Sequence, residues 1–159
     1  MKKCFFILIM LFISQLGVSQ TQNGAPQFLI INNTDCDQTF EVFGSNFCKC
    51  DGLQEGSVFY NSGFITILPG QTFLHTNTTT LPGLFSVNPP GFVYGARITE
   101  GYPEICGIHG GTVGQPNCVG GGLTYTFMSN NSDCSNCRLT TATWYPADCN
   151  GVARLVFTP

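Results

Sequence analysis

The sequence predicts an all-β fold: an antiparallel β-sandwich, Greek-key or jelly-roll-like, stapled by disulfides. Three observations lead there. Apolar residues recur at period two over several short stretches, with Gly, Pro, Asn and Thr between them. Apolar residues spaced i, i+3, i+4 are absent, so no helical crossovers exist to connect a parallel sheet. The chain also carries nine cysteines in 159 residues. Only 9% of the residues are charged, where about 25% is usual for a soluble domain.

The elements follow in chain order. Met1-Lys2-Lys3 is a short positive segment, Cys4 to Val18 is mostly Phe, Ile, Leu and Met, and Gly17 and Ser19 are small residues at −3 and −1 of a cleavage site. This is the pattern of a secretory signal peptide over residues 1–19. Its apolar stretch falls short of the ~18–20 residues of a spanning helix, and Cys4 lies on the wrong side of it for a lipoprotein. Residues 20–27 read as a flexible, polar N-terminal segment. A single domain then runs over 28–159. Phe28–Asn32 and Thr39–Phe43 read as strands. Phe64–Leu68 and Thr72–Thr76 flank Pro69-Gly70, which predicts a hairpin. Phe92–Thr99 alternates with Phe92, Tyr94, Ala96 and Ile98 inward. Leu123, Tyr125 and Phe127 form a second alternating set. Leu139–Tyr145 and Val152–Thr158 close the chain, the last with Ala153, Leu155 and Phe157 on one face. The Gly-rich stretches 107–114 and 120–122 read as loops.

Cleavage after Ser19 removes Cys4, Lys2 and Lys3. Eight cysteines remain: Cys36, Cys48, Cys50, Cys106, Cys118, Cys134, Cys137 and Cys149. An even set in an exported chain implies a cystine framework. Chain proximity favours Cys106 with Cys118, Cys36 with Cys48 or Cys50, and Cys149 with Cys134 or Cys137. Cys134-Ser-Asn-Cys137 has redox spacing but lies in an Asn/Ser loop before a strand, not at a helix N-terminus. Zinc on Cys48, Cys50 and the later pair is disfavoured where thiols are oxidised to cystines.

Catalytic constellations are thin. His109, in Gly107-Ile-His-Gly-Gly-Thr112, has the look of an oxyanion-hole segment, yet no Gly-x-Ser-x-Gly elbow accompanies it. Asp35, Asp37, Glu41, Asp51 and Glu55 are oxygen-rich loop or strand positions without EF-hand spacing. No spacing selects a glycosidase pair, though Asp51, Glu55, Glu100 and Glu104 are the candidates. The chain calls for no cofactor and no metal. Trp144-Tyr145, at a strand end before Pro146, and Tyr60, beside Phe59, form a candidate recognition surface. Sequons occur at Asn32, Asn77 and Asn130.

Ile30-Ile31-Asn32-Asn33-Thr34-Asp35-Cys36 and Leu68-Pro69-Gly70-Gln71 resemble segments of thaumatin-like β-sandwiches. The resemblance covers these short pieces only. That family's acidic cleft motif and larger cysteine set have no counterpart here.

A net charge of −3, with four basic residues left after cleavage (Lys49, Arg97, Arg138 and Arg154) against nine acidic ones, argues against nucleic acid as a partner. The mature chain offers no membrane span. The reading is a secreted or periplasmic, monomeric, non-catalytic binding or structural module. Its partner is a glycan or a surface protein. The alternative is a small secreted hydrolase acting on an extracellular polymer.

Overall fold

The computed structural model describes residues 24–49, 59–83, 91–107 and 110–159. The signal segment, Cys50, Asp51, Glu55 and His109 lie outside them. The described chain is all-β, with ten strands and two four-residue helices.

Sheet I has the order β5-β1-β10-β9-β8, formed by β1 (Gln27–Asn32), β5 (Thr72–His75), β8 (Thr124–Asn130), β9 (Asn136–Tyr145) and β10 (Val152–Thr158). Sheet II has the order β3-β2-β6-β7, with β4 also pairing β2. It contains β2 (Gln38–Ser45), β3 (Phe59–Asn61), β4 (Ile65–Ile67), β6 (Phe92–Thr99) and β7 (Thr112–Gly114). The helices are α1 (Pro103–Cys106) and α2 (Pro116–Val119), each with Pro at its first turn, where a missing N–H costs nothing.

One hydrophobic core draws on both sheets. Phe28 and Ile30 of β1, Trp144 of β9, and Leu155 and Phe157 of β10 meet Phe40 and Val42 of β2 and Ile98 of β6. Phe40 and Phe157 bring their ring centroids within 5.8 Å across that core. Burying each such side chain stabilises by about 1.5–3 kcal/mol. The strict alternation of β10, with Ala153, Leu155 and Phe157 buried, follows the sequence pattern.

A buried polar cluster lies against this core and joins the sheets. Asn32 donates to the carbonyls of Cys36 (2.8 Å) and Ile67 (3.1 Å). Gln38 of β2 donates to Ser129 of β8 at 3.1 Å, and Ser129 donates to Thr140 at 2.7 Å. Because these buried groups find partners, they fix register instead of leaving a desolvation penalty. The sequon residue Asn32 is thus fully buried.

Four expectations are corrected. The Pro69-Gly70 turn forms, with Gln71 N–H donating to the Leu68 carbonyl at 3.2 Å and Gly70 at φ 68°. Its flanks make no hairpin, however: β4 pairs with β2 and β5 with β1, so the turn carries the chain from sheet II to sheet I. A turn signal fixes a change of direction, and the open sheet edges decide the pairing. The pairing is not antiparallel throughout, because the first and last strands, β1 and β10, run parallel. Nearly the whole domain serves as their connection, well beyond the dozen residues a parallel pair needs.

The packed domain also begins before Phe28. Ala25 is fully buried and exchanges backbone hydrogen bonds with Val93 at 3.0 and 2.8 Å. Finally, Tyr94 is not inward with Ala96 and Ile98. The β2–β6 register passes from Phe43↔Gly95 to Gly44↔Val93, so Tyr94 is a bulge residue and Val93 takes the core position.

The disulfides are long-range. Cys36 pairs with Cys137 and Cys48 with Cys149, each across 101 residues, and Cys106 pairs with Cys134 across 28. Cys118 is disulfide-bonded as well. All three local pairings expected from chain proximity are therefore wrong. Cys36 and Cys48 bracket β2, while Cys137 and Cys149 bracket most of β9 and the turn after it. The two 101-residue bridges staple a strand of sheet II to a strand of sheet I at both ends. Around a shared core, the ends of strands from the two sheets come closer than neighbours in sequence that lie at opposite ends of one strand.

Candidate binding face

Period two places Thr39, Glu41 and Phe43 of β2 on the face of sheet II turned away from the core. Thr99, Arg97 and Gly95 of β6 lie opposite them. Glu41 and Arg97 form an ion pair at the centre of this face, with side-chain exposures of 8% and 40%. A carboxylate so buried is retained because the guanidinium partners it. The Arg97 Nε–H is buried with no acceptor among the described residues.

Beyond Thr39 the face is overlaid by the segment after β6. Thr99 Oγ1 donates to the carbonyls of Thr39 and Gly101, both at 2.9 Å, which turns the chain back over the sheet. The Tyr102 hydroxyl donates to Asp37. That hydrogen bond, then burial and the carboxylate charge, raise the Tyr102 pKa above its ordinary value. The Cys106–Cys134 bridge anchors α1. Between α1 and the sheet lies a groove of about 210 Å³, floored by Thr39 and Thr66 and walled by Phe64, Tyr102, Glu104 and Ile105.

At the other end α2 covers β6 and β7, and only glycine permits it. A Cβ on Gly95 or Gly114 would stand 2.9 or 2.7 Å from Val119 Cγ2. A second groove of about 240 Å³ opens here, lined by Phe43, Phe59, Tyr60, Tyr94 and Val119. Phe59 is 53% exposed. Tyr94 donates its hydroxyl to the Phe47 carbonyl, and burial pushes its pKa up, against a hydrogen bond with Ser45.

The residues expected to form a recognition surface are dispersed. Trp144 is 1% exposed and packs on Phe28 at 5.5 Å between centroids, so it is a core residue and offers no ring to a ligand. Its phase on β9 is inward because it alternates with Thr143 and Tyr145. Tyr60 is buried in the core cluster, yet it lines the second groove beside the exposed Phe59. Tyr145 is 42% exposed on the outer face of sheet I, with Arg154 4.7 Å above its ring.

Cys134 and Cys137 bond to different partners, so the CxxC spacing makes no redox pair. Asp35, Cys36 and Cys137 place ligand atoms within 4.8 Å of one another, but both sulfurs belong to one cystine and lack the thiolate a metal needs. Glu104 stands at the first groove, whereas Glu100 accepts from the Tyr125 hydroxyl at 3.3 Å. The Glu41–Arg97 pair escaped sequence reading because it depends on the β2–β6 register. The alternation of Thr39, Glu41 and Phe43 did carry half the signal.

The fold and this face define a disulfide-stapled all-β protein with three intramolecular bridges among the described residues, a covalent style typical of oxidising compartments. No known protein family, curated protein or solved structure matches the chain. No helix among the described residues is long and apolar enough to cross a membrane.

Proposed function

We infer that this chain is an exported, monomeric β-sandwich that binds a ligand without turning it over, through the outer face of sheet II. The observation carrying this reading is the Glu41–Arg97 pair held between two grooves on one sheet face. Such a face combines rings, hydroxyls and a fixed polar centre, the ingredients of a specific binding site. The hydrolase alternative needs two carboxylates acting together across a bond. Among the described residues Glu41 is engaged by Arg97, Asp37 by Tyr102 and Glu100 by Tyr125, which leaves Glu104 as the one described carboxylate at its groove.

Export rests on the leader at residues 1–19 and on the cystine framework. The secreted form is expected to begin at Gln20, and its intact mass checks this. Function is tested by presenting the oxidised protein with a panel of extracellular polysaccharides and surface proteins. Retention on at least one, with the ligand recovered unchanged, is the expected result. Release of a shortened product would make the protein an enzyme and overturn the reading.

A further inference from the structure

We propose that the ligand of this face is an uncharged glycan chain lying along β2 across both grooves. The proposal rests on the binding face inferred above and names the chemistry that fits it. The centre of the face carries no net charge, because Arg97 and Glu41 neutralise each other. Arg97 is 40% exposed, and its planar guanidinium holds more N–H donors than the one bond to Glu41 uses. Such a fork suits hydroxyl and ring oxygens, which accept hydrogen bonds without bringing charge.

The flanks are apolar and aromatic. Phe59 at one groove and Phe64 at the other are both exposed, so each offers a ring to the C–H face of a sugar. Thr66 and Tyr102 add hydroxyls at the Phe64 end, and the buried Thr39 holds the Thr66 hydroxyl in place at 2.9 Å. An anionic polymer fits poorly: the cation is already paired, and Glu104 adds a negative charge at the rim. A cationic peptide finds that one carboxylate uncommitted among the described residues of the face. Thr39 and Phe43, which floor the two grooves, are four strand residues apart, or about 13 Å. That span exceeds one sugar ring, so the site reads a chain and not a monosaccharide.

The test uses the oxidised, secreted chain with cellohexaose, mannohexaose and maltohexaose as neutral probes, cellobiose as a short control and a galacturonate hexamer as an acidic one. Calorimetry is expected to show saturable binding of at least one neutral hexasaccharide. Cellobiose and the acidic hexamer should bind about tenfold more weakly or not at all. Phe59→Ala and Phe64→Ala are surface truncations that leave the core intact. Each is expected to weaken binding about tenfold, the scale of an interface anchor, whereas Tyr145→Ala on sheet I leaves it unchanged. If no neutral hexasaccharide binds, the glycan proposal falls. If the acidic hexamer binds best and still depends on Phe59 and Phe64, the proposal falls while the binding face stands. If neutral binding is lost with Tyr145→Ala and not with the two Phe variants, the binding face itself falls, and the proposal with it.

Discussion

The two outer faces of this molecule are built from the same β alternation and end up chemically unlike. On sheet I, the outward row Thr158–Thr141–Thr126 crosses three strands in register, and Val156–Thr143–Thr124 forms the next row. Thr126 and Thr141 hydroxyls stand 3.1 Å apart. Arg154 is the one charged residue among the outward positions of these strands, and it lies on the Tyr145 ring. Neither helix of the described residues overlays these rows. On sheet II the central Glu41 carboxylate is buried and paired with the part-exposed Arg97, and grooves beside α1 and α2 flank the pair. The difference teaches that relief on a β surface comes from the connections. Gly95 and Gly114 admit one helix, and a cystine anchors the other.

The largest expected effect concerns the staples that tie the two sheets together. Opening Cys36–Cys137 alone reopens only the short ring between the two bridges, and costs about 3–4 kcal/mol in the chain-entropy model. Opening Cys48–Cys149 as well releases the long loop and brings the total to about 8 kcal/mol. A domain of ordinary stability would not survive that loss. Urea unfolding of the single pair-replaced protein, and the loss of cooperative folding in the double one, check this. Next comes Trp144→Ala, expected to cost about 3–5 kcal/mol through the cavity it leaves, while the adjacent Tyr145→Ala costs about 1 kcal/mol or less. Near-equal losses in thermal unfolding would mean that the phase of β9 has been misread.

Arg97 and Arg154 allow the same residue type to be compared on the two faces. Arg97→Ala leaves the buried Glu41 carboxylate unpaired and is expected to cost about 3 kcal/mol. Arg154→Ala loses an exposed ring contact worth about 0.5–1 kcal/mol. Chemical denaturation of the two variants measures the gap.

The smallest effect is a pH slope at His75, on the edge of sheet I. Desolvation by burial lowers its pKa from the ordinary histidine value of 6.5. The folded protein therefore binds fewer protons than the unfolded chain just below that value, and stability declines as pH falls through 6.5. His75→Gln is expected to remove this part of the slope, read from unfolding midpoints between pH 7.5 and 5.5.

Much of the strand content was legible in local pattern. β10 could be read directly because Ala153, Leu155 and Phe157 share one face while Arg154 and Thr158 mark the other, and the core takes every second residue. Long-range decisions were not legible. Nothing local tells Ile65–Ile67 and Thr72–His75 to seek edges of different sheets. The bulge at Tyr94 takes both Tyr94 and Phe92 out of the expected phase without breaking the apolar run. The cystines were misassigned because proximity in sequence stood in for proximity in space. Yet the Cys36-to-Cys48 spacing equals that of Cys137 to Cys149, a matched pair of brackets that signals two strands tied at both ends. Tyr60 was offered as a surface ring and is instead buried in the core cluster, and Trp144 was misjudged because a strand end before Pro146 was read as exposure and its inward phase was overlooked.

The contrast between the faces is tested most directly by amide chemical-shift mapping on the ¹⁵N-labelled, oxidised protein titrated with whichever ligand the binding panel yields. The account predicts that the shifts gather at Thr39, Phe43, Phe59, Arg97 and Tyr102 on sheet II and its overlying segment. Shifts gathered instead at Thr126, Thr141, Thr143 and Tyr145 would contradict it and move recognition to the flat face of sheet I.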